Sequence, residues 1–277
     1  MADIYHKILV PYESTEQKEL LIAWLNFYGA EAIVEEDDRL EAYTKDDPKS
    51  LIENVRTTGQ ITAEELVIEK IEDKNWNAEW EENFDPVTIG KVYIRAPFHE
   101  PAQKGMVDLV IAPKMAFGTG HHATTNMMIE EMSLLEFEGK NVLDYGCGTG
   151  ILSVYAKLLG AQHISGVDIQ PESMDNSWEQ VELNKLNKLN FTFKLGFLKE
   201  FEGQKFDLIL ANINRHVLLD KAEEILKYLE SAGSLLISGI LVKDRKKIVK
   251  AYQTAGFILD KENERDEWCW FLFSPES

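Results

Sequence analysis

Hydrophobic and polar residues alternate in two ways along the first quarter of the chain. Within residues 3–73, short stretches with the pattern of strands, such as DIYHKILVPYE, are separated by two amphipathic stretches that predict helices. The first helix can be capped by Ser14 or Thr15 and can end at Gly29. The second carries Pro48 in its first turn. The predicted order of elements is βαββαβ, which is the ferredoxin-like order.

Aromatic residues mark the passage from this part of the chain to the rest. In NWNAEWEENFDPVTIG, Trp76, Trp80 and Phe84 are spaced by four residues and share one face of a predicted helix, which Asp85 and Pro86 end. We expect these side chains to pack at a junction between two domains, and the alternative is a binding site. The predicted boundaries are residues 1–73 for the first domain, 74–90 for a helical linker and 91–277 for the second domain.

In the second domain the pattern changes to a regular succession of strands and helices. Two strands, KVYIRAPF and VDLVIAP, and a helix from about Thr124 to Leu134 come first. Strands such as KNVLDY and FDLILANI then alternate with helices such as LDKAEEILKYL, and ILDKENERDEWCWFLFSP predicts a closing antiparallel pair. This alternation predicts an α/β fold with a doubly wound, mostly parallel, Rossmann-like sheet, preceded by the small ferredoxin-like α+β domain.

The composition is compatible with a packed core in each domain. The chain has 277 residues, of which 44% are hydrophobic and 10% aromatic. Its two cysteines, Cys147 and Cys269, supply neither a disulfide framework nor a tetrahedral cysteine site. The N-terminus lacks the pattern of a signal peptide, and no apolar stretch approaches 18 residues. We therefore expect a cytoplasmic protein that does not bind to membranes.

The formal net charge is -19, and it is spread unevenly. Residues 1–75 contain 18 acidic and 8 basic side chains, a net charge of -10, so about half of the total lies in the first quarter. Because an acidic surface repels the phosphate backbone, direct binding of nucleic acid is disfavoured. Two interpretations of the acidic surface stay open, namely a solubilising surface or a docking surface for a basic partner.

The clearest chemical motif is VLDYGCGTG, in which a predicted strand leads into a glycine-rich turn. Gly146, Gly148 and Gly150 let a ligand approach the backbone closely. Their spacing differs from the G-x-G-x-x-G of dinucleotide-binding proteins, and no G-x-x-x-x-G-K-[ST] occurs. Asp144, just before the turn, would repel a pyrophosphate and suits a ligand with ammonium and sulfonium charges.

Two further polar residues end later strands at the same edge of the predicted sheet. Asp168 lies 22 residues after Gly146, where its carboxylate can accept hydrogen bonds from both hydroxyls of a ribose. The alternative is a cap for the next helix. Asp168 and Asp144 together indicate S-adenosylmethionine as the cofactor. Asn212 can accept an N–H from an incoming amine, and the alternative is a turn-forming Asn.

Over nearly its whole length, the chain resembles the class I methyltransferases that modify ribosomal protein L11. The motifs that carry the resemblance are NWNAEWEENFDP, AFGTGHHATT, VLDYGCGTGILS, GVDIQP, ANI and EWCW. The resemblance implies transfer of methyl groups from S-adenosylmethionine to lysine side chains and the N-terminal amine of that basic protein. It also implies a ferredoxin-like recognition domain, a helical linker and a Rossmann-like class I methyltransferase domain.

The resemblance also implies roles for particular residues. The loop FGTGHHATT corresponds to the segment that covers the cofactor in this family, where Phe117 can lie against the cofactor and Thr125 can donate a hydrogen bond to it. The chain departs from the family at Ala123, where proline is frequent, and at Asn214–Arg215, where apolar residues are more usual. Asn212 is the catalytic candidate, and the cofactor-binding candidates are Thr125, Gly146, Gly148, Asp168, Asn212 and Phe117.

The adjacent histidines of this loop, His121 and His122, do not indicate a metal site. Adjacent side chains diverge by about 100° on a helix and about 180° on a strand, so they seldom bind one ion. No further ligand is nearby in the sequence, and we expect no metal. His122 matches the family histidine, and it either orients the loop or the substrate or is purely structural.

Two other functions stay open. The first is a class I methyltransferase that acts on a small molecule, a glutamine amide or a nucleic acid, although NINR lacks both prolines of the N-P-P-[YF] motif that many such enzymes carry. The second is a non-enzymatic binding module, against which Asp144, Gly146, Asp168 and Asn212 argue. We expect a monomer whose partner is ribosomal protein L11.

Overall fold

The structure is a computed structural model that describes residues 5–12, 14–28, 30, 32–36, 38–44, 48–57, 67–71, 85–112, 120 and 122–276. The chain forms two compact units, Met1–Asn83 and Phe84–Ser277. In the described part of the chain, no helix is both long and apolar enough to cross a membrane.

The smaller unit is a four-stranded sheet with two helices. Its elements are β1 (Tyr5–Pro11), α1 (Thr15–Phe27), β2 (Ala32–Glu35), β3 (Arg39–Thr44), α2 (Pro48–Thr57) and β4 (Val67–Ile71). The sheet order is β2-β3-β1-β4, and every neighbouring pair is antiparallel. One face of the sheet packs against the helices. Ile8 on β1 and Leu40 on β3 lie in one hydrophobic cluster with Leu21 of α1 and Ile52 of α2. This unit therefore has a hydrophobic core of its own.

The elements of the smaller unit follow one another in the predicted βαββαβ order. Ser14 caps α1 as expected, because its Oγ accepts a hydrogen bond from the Gln17 backbone N–H at 3.2 Å. The domain boundaries and the role in substrate recognition stay predictions. The predicted linker helix with Trp76, Trp80 and Phe84 lies outside the described residues.

The larger unit contains a three-stranded sheet, a seven-stranded sheet and flanking helices. The small sheet consists of β5 (Val87–Ile89), β6 (Val92–Arg95) and β7 (Val107–Val110). The strands of the large sheet are β8 (Asn141–Tyr145), β9 (His163–Asp168), β10 (Phe191–Leu195), β11 (Phe206–Asn212), β12 (Leu229–Leu241), β13 (Phe257–Arg265) and β14 (Trp268–Pro275). The helices are α3 (Ala123–Met132), α4 (Ile151–Leu158), α5 (Pro171–Leu183), α6 (Arg215–Leu226) and α7 (Arg245–Thr254).

The large sheet has the order β10-β9-β8-β11-β12-β14-β13. The five neighbouring strands β10, β9, β8, β11 and β12 run parallel to one another, whereas β14 is antiparallel to both β12 and β13. The predicted α/β class with a mostly parallel sheet and a closing hairpin is therefore confirmed. The order of the parallel strands reverses between β8 and β11, and ligands of such sheets bind at the carboxyl ends next to this point.

Alternating residues of the central strands supply a core to each face of the sheet. On β11, Leu208 and Leu210 belong to the cluster that includes side chains of α3, α4 and α5. Ile209 and Ala211 of the same strand belong to the cluster that includes side chains of α6 and α7. Because helices cover both faces, the strands are nearly continuous apolar runs, as in FDLILAN.

The observed elements differ from the sequence-based prediction at several points, and two of the differences have a clear physical reason. Helix α6 begins at Arg215, four residues before the predicted stretch LDKAEEILKYL, because the Asn214 side chain caps it. Its Oδ1 accepts hydrogen bonds from the backbone N–H groups of His216 and Val217. Strand β5 is absent from the prediction, since three residues are too few to show a period of two.

Candidate cofactor and active site

An open cleft of about 880 Å³ lies at the carboxyl ends of the parallel strands. Its walls are formed by the segments that follow β8, β9, β10 and β11, together with residues of β12, α3 and β14. The candidate residues that line it are Thr125, Gly146, Gly148, Asp168 and Asn212. The remaining candidate, Phe117, lies outside the described residues, as does His121.

The glycine-rich turn after β8 requires glycine because its backbone is both left-handed and tightly packed. Gly146 has φ +79°, and a Cβ at this position would lie 2.2 Å from Cγ2 of Ile213. Gly150 has φ +82°, and its Cβ would lie 2.9 Å from Cα of Ser177. The Gly146 N–H donates to the carbonyl of Val167 at 2.8 Å, which ties the turn to β9. These contacts explain why glycine is needed at positions 146 and 150.

Asp168 presents its carboxylate to the cleft at the end of β9. Its Oδ2 accepts a hydrogen bond from the Gly148 N–H, and its Oδ1 accepts one from the Gln170 N–H, both at 2.9 Å. A carboxylate offers about four lone-pair positions, so two stay available to a ligand. The alternative of a helix cap is wrong, because Gln170 occupies the N-cap position of α5. Asp168 is thus held in place by the turn that it faces.

Asp144 does not face the cleft, and the expectation that it meets a cationic ligand there is wrong. Its side chain is 1% exposed and is absent from the cleft lining. Its Oδ2 accepts a hydrogen bond from the Ser153 hydroxyl at 2.7 Å. Burial raises the pKa of Asp144 to about 7, although hydrogen bonds from Ser153 oppose this shift, and the charge of Asp168 adds to it. Asp144 therefore links the end of β8 to α4.

We expect this buried carboxyl to make protein stability depend on pH. The pKa of Asp144 is about 7 in the folded protein against 3.8 as its ordinary value. Because the folded state then binds the extra proton, the contribution of Asp144 to the free energy of unfolding is largest below about pH 4 and falls as the pH rises to about 7. Between pH 5 and pH 8 the loss is about 3 kcal/mol at most.

The test compares urea unfolding at pH 5 and pH 8 for the parent, Asp144→Asn and Asp266→Asn. The amide that replaces the Asp144 carboxyl cannot ionise, yet it can still accept from Ser153, so this variant should lose the extra pH dependence. Asp266 is an exposed carboxyl and serves as the matched control. The same pH dependence in the parent and in Asp144→Asn would contradict the prediction.

Asn212 reaches from the end of β11 to α3. Its Nδ2 donates a hydrogen bond to Oγ1 of Thr125 at 3.2 Å, and Thr125 is fully buried. Its Oδ1 is also buried and accepts no hydrogen bond from any described residue. The alternative of a turn-forming Asn is wrong, because Asn214 makes the local backbone bonds instead. A buried acceptor without a donor is energetically costly.

His122 caps helix α3 at the rim of the cleft. Its Nδ1 accepts a hydrogen bond from the Thr124 N–H at 3.3 Å and lies 2.8 Å from the Thr124 hydroxyl oxygen. The imidazole ring contacts Trp268 edge to face, with 5.1 Å between the ring centroids. The structure thus gives His122 a capping role. Among the described residues, no group of three or more His, Cys, Asp or Glu side chains is arranged to hold a metal ion.

Among the residues of the cleft wall that sequence reasoning missed, four stand out. Ile169 and Phe197 line the cleft and are more than half exposed, which is unusual for large apolar side chains. Trp268 also lines the cleft. It belongs to the EWCW motif, which contributes to the family resemblance but to which the sequence alone assigns no role. Gly239 has φ +85° within β12, and a Cβ there would lie 2.3 Å from the carbonyl oxygen of Ile213. A glycine inside a predicted strand is a sign of such a close approach.

The fold and the cleft define a class I methyltransferase. A family model for ribosomal protein L11 methyltransferases (PrmA) matches residues 10–275. The chain belongs to this family, whose members are S-adenosylmethionine-dependent protein methyltransferases. The resemblance that the motifs carry is therefore confirmed.

Individual relatives agree with the family model. A ribosomal protein L11 methyltransferase from Phocaeicola vulgatus is 36% identical over 252 residues, which cover 88% of this chain and 89% of the relative. One from Porphyromonas gingivalis is 34% identical over 267 residues, which cover 94% of this chain and 91% of the relative. A crystal structure of a ribosomal protein L11 methylase from Lactobacillus delbrueckii subsp. bulgaricus is similar with a TM-score of 0.65 at 27% identity, covering 70% of this chain and 100% of that one.

Proposed function

We propose that the protein transfers methyl groups from S-adenosylmethionine to amino groups of ribosomal protein L11, at lysine side chains and the N-terminal amine. The observation that carries this proposal is the cleft at the carboxyl ends of the parallel strands, which is lined by both Asp168 and Asn212. The names of the relatives support the choice of substrate. We further propose that it acts in the cytoplasm as a monomer.

The cleft fits the cofactor in the chemistry of its groups. The free lone pairs of Asp168 suit the two hydroxyls of a ribose. Gly146 and Gly148 line the cleft without side chains, so a ligand can approach the backbone. Thr125 contributes to the wall from α3, and Phe117 stays a prediction from the family motif. S-adenosylmethionine, when bound, supplies a methyl group on a positively charged sulfur.

The residues of this chain then have to deliver a neutral amine. Because the reaction moves a charge from sulfur to nitrogen and creates none, positioning accounts for most of the catalysis. A lysine amine with a pKa near 10.4 is almost wholly protonated at pH 7. Desolvation against the apolar walls at Ile169, Phe197 and Trp268 favours loss of the proton. Asn212 Oδ1 then accepts one N–H and orients the nitrogen lone pair.

The direct test is transfer of tritium from labelled S-adenosylmethionine to purified ribosomal protein L11. Mass spectrometry of the product identifies the modified amines and the number of methyl groups on each. Label on the lysine side chains and the N-terminal amine is the expected result. Label on ribosomal RNA or on another protein, with none on L11, would show that L11 is not the substrate.

The cofactor role of Asp168 predicts a loss of affinity in Asp168→Ala. Losing a hydrogen bond to a charged group costs about 1.5–3 kcal/mol, which is roughly ten- to a hundredfold in affinity. Calorimetric titration with S-adenosylmethionine measures the change. Asp175→Ala is the matched control, because this carboxyl is exposed on α5. An affinity equal to that of the parent would show that Asp168 does not bind the cofactor.

The role of Asn212 predicts that Asn212→Ala lowers turnover more than it lowers cofactor affinity. An amine that is no longer held in line should react about a hundredfold more slowly. Turnover is measured at saturating cofactor, and Asn263→Ala, an exposed position on β13, is the control. Unchanged turnover in Asn212→Ala would show that the residue is only structural.

A further inference from the structure

We propose that Gln180 and Asn184 are positioning residues for the cofactor, although neither lines the cleft. Their side chains bind the backbone at the end of β7, and this contact fixes the place of α5 along that strand. Helix α5 in turn forms part of the cleft wall and packs against the glycine-rich turn. The inference rests on the proposed function, and it deepens it by adding residues that govern cofactor binding from outside the cleft.

The two side-chain amides cover the outer edge of the three-stranded sheet. Asn184, the C-cap residue of α5, accepts a hydrogen bond from the Val110 N–H at 2.9 Å and donates one to the Val110 carbonyl at 2.7 Å. Gln180 is fully buried and accepts a hydrogen bond from the Ala112 N–H at 2.8 Å. Strand β6 pairs with the other edge of β7. The amides thus bind the edge of β7 where a further strand would otherwise pair.

The spacing of these contacts matches the periods of the helix and of the strand. Val110 and Ala112 are two residues apart, so in an extended chain their N–H groups point to the same side, about 6.6 Å from each other. Gln180 and Asn184 are four residues apart, so they lie on one side of the helix, about 6 Å apart along its axis. A shift by one residue would break all three hydrogen bonds. The contact therefore allows a single register of α5 along β7.

This register matters because the buried side of α5 is mostly polar. Its buried residues are Ser173, Ser177, Gln180 and Val181, of which Val181 alone is apolar. Apolar packing is non-directional, whereas a hydrogen bond weakens steeply when its distance or angle changes. The hydrogen bonds of Gln180 and Asn184 therefore set the position of the helix more narrowly than its apolar contacts do.

Helix α5 carries its position to the cofactor site at two places. In its second turn, the Ser177 hydroxyl donates to the Gly148 carbonyl at 3.4 Å, and a Cβ on Gly150 would lie 2.9 Å from Cα of Ser177. In its first turn, Glu172 and Ser173 line the cleft. A displacement of α5 therefore moves both the glycine-rich turn and the wall beside it.

The test replaces Gln180 with methionine, which has a similar shape and no acceptor for the Ala112 N–H. We expect Gln180→Met to weaken S-adenosylmethionine binding roughly tenfold in calorimetry, because the buried donor loses its partner and α5 is free to shift. At saturating cofactor, kcat on L11 should stay within about threefold of the parent. Gln253→Met, at an exposed position of α7, is the matched control and should bind the cofactor like the parent.

Gln180→Glu separates positioning from a general structural effect. The Nε2 of Gln180 makes no hydrogen bond with any described residue, so a carboxyl in its place loses none and keeps the acceptor for Ala112. Burying a carboxyl lowers the free energy of unfolding, since the buried group is held in its protonated form. We therefore expect Gln180→Glu to be less stable than the parent and yet to bind the cofactor like the parent.

Two results would overturn the inference. One is the same loss of affinity in Gln180→Glu as in Gln180→Met, and the other is a lower free energy of unfolding in Gln180→Met with unchanged affinity. If Gln180→Met does not fold, Asn184→Leu takes its place, because it removes both hydrogen bonds to Val110. The same tenfold loss is then expected, and an affinity equal to that of the parent would again contradict the inference.

The failure of this inference differs from the failure of the proposed function. A parent protein that does not bind S-adenosylmethionine overturns the proposed function, and this inference with it. A parent that binds the cofactor and methylates L11, with Gln180→Met equal to it in cofactor affinity, overturns this inference alone.

Discussion

Gly239→Ala is expected to abolish methyl transfer while the sheet stays folded. Gly239 has φ +85°, and a Cβ there would lie 2.3 Å from the carbonyl oxygen and 3.0 Å from the carbonyl carbon of Ile213. These are backbone atoms, so no change of rotamer can relieve the contact. Ile213 directly follows Asn212, and a shift of its backbone moves the amide. A displacement of about 1 Å can cost a hundredfold in rate, and here backbone strain adds to it.

Gly203→Ala is the matched control for this experiment. Gly203 has φ +79°, and a Cβ there would have no neighbour within 4 Å. Both variants therefore carry the cost of a left-handed alanine, roughly 1–2 kcal/mol, and Gly239→Ala adds the clash. Turnover and the free energy of unfolding are measured for both. If Gly239→Ala keeps more than half of the parent's turnover, the close approach of β12 to Ile213 does not hold the site.

The parts of the site that depend on neighbours in the sequence could be predicted. Gly146 directly follows β8 and Asp168 ends β9, and parallel strands place their carboxyl ends at one edge of the sheet. The cap at Ser14 depends on the three residues that follow it. Thr125 could be predicted as a site residue because it lies in a motif of the family.

Contacts between distant parts of the chain could not be predicted. The hydrogen bond between Asn212 and Thr125 joins residues 87 positions apart. The contact of Gly239 with Ile213 requires knowledge of how β12 lies beside the end of β11. No pattern in a single sequence reports either distance, since both result from the packing of the whole sheet.

The error at Asp144 could have been avoided from the strand period alone. Residues two apart in a strand point to the same face, and Val142 belongs to the core under α4 and α5. Asp144 therefore points into that core, toward Ser153, and away from the edge of the sheet. An acidic residue at a strand end marks a ligand site only if its side chain faces the edge.

The separate core of the smaller unit leads to the second large effect that we expect. The cleft is lined, in the described residues, from His122 onward, so every cofactor contact proposed here from described residues belongs to the larger unit. The larger unit also has its own hydrophobic clusters, which contain no buried residue before Ile89 among those described. Removal of residues 1–73 should therefore leave the cofactor site in place.

Deletion of residues 1–73 is expected to abolish methylation of intact ribosomal protein L11 and to preserve cofactor binding. The deleted segment carries about half of the net negative charge, and ribosomal proteins are commonly basic, so it should speed encounter and fix the register of the substrate. Cofactor affinity by calorimetry is the control for a folded site. Methylation by the full chain should weaken as salt rises, because salt screens exposed charges. A truncated protein that methylates L11 at the parent rate would show that residues 1–73 are not needed to recognise the substrate. A full-chain rate that does not depend on salt would show that charge does not drive this recognition.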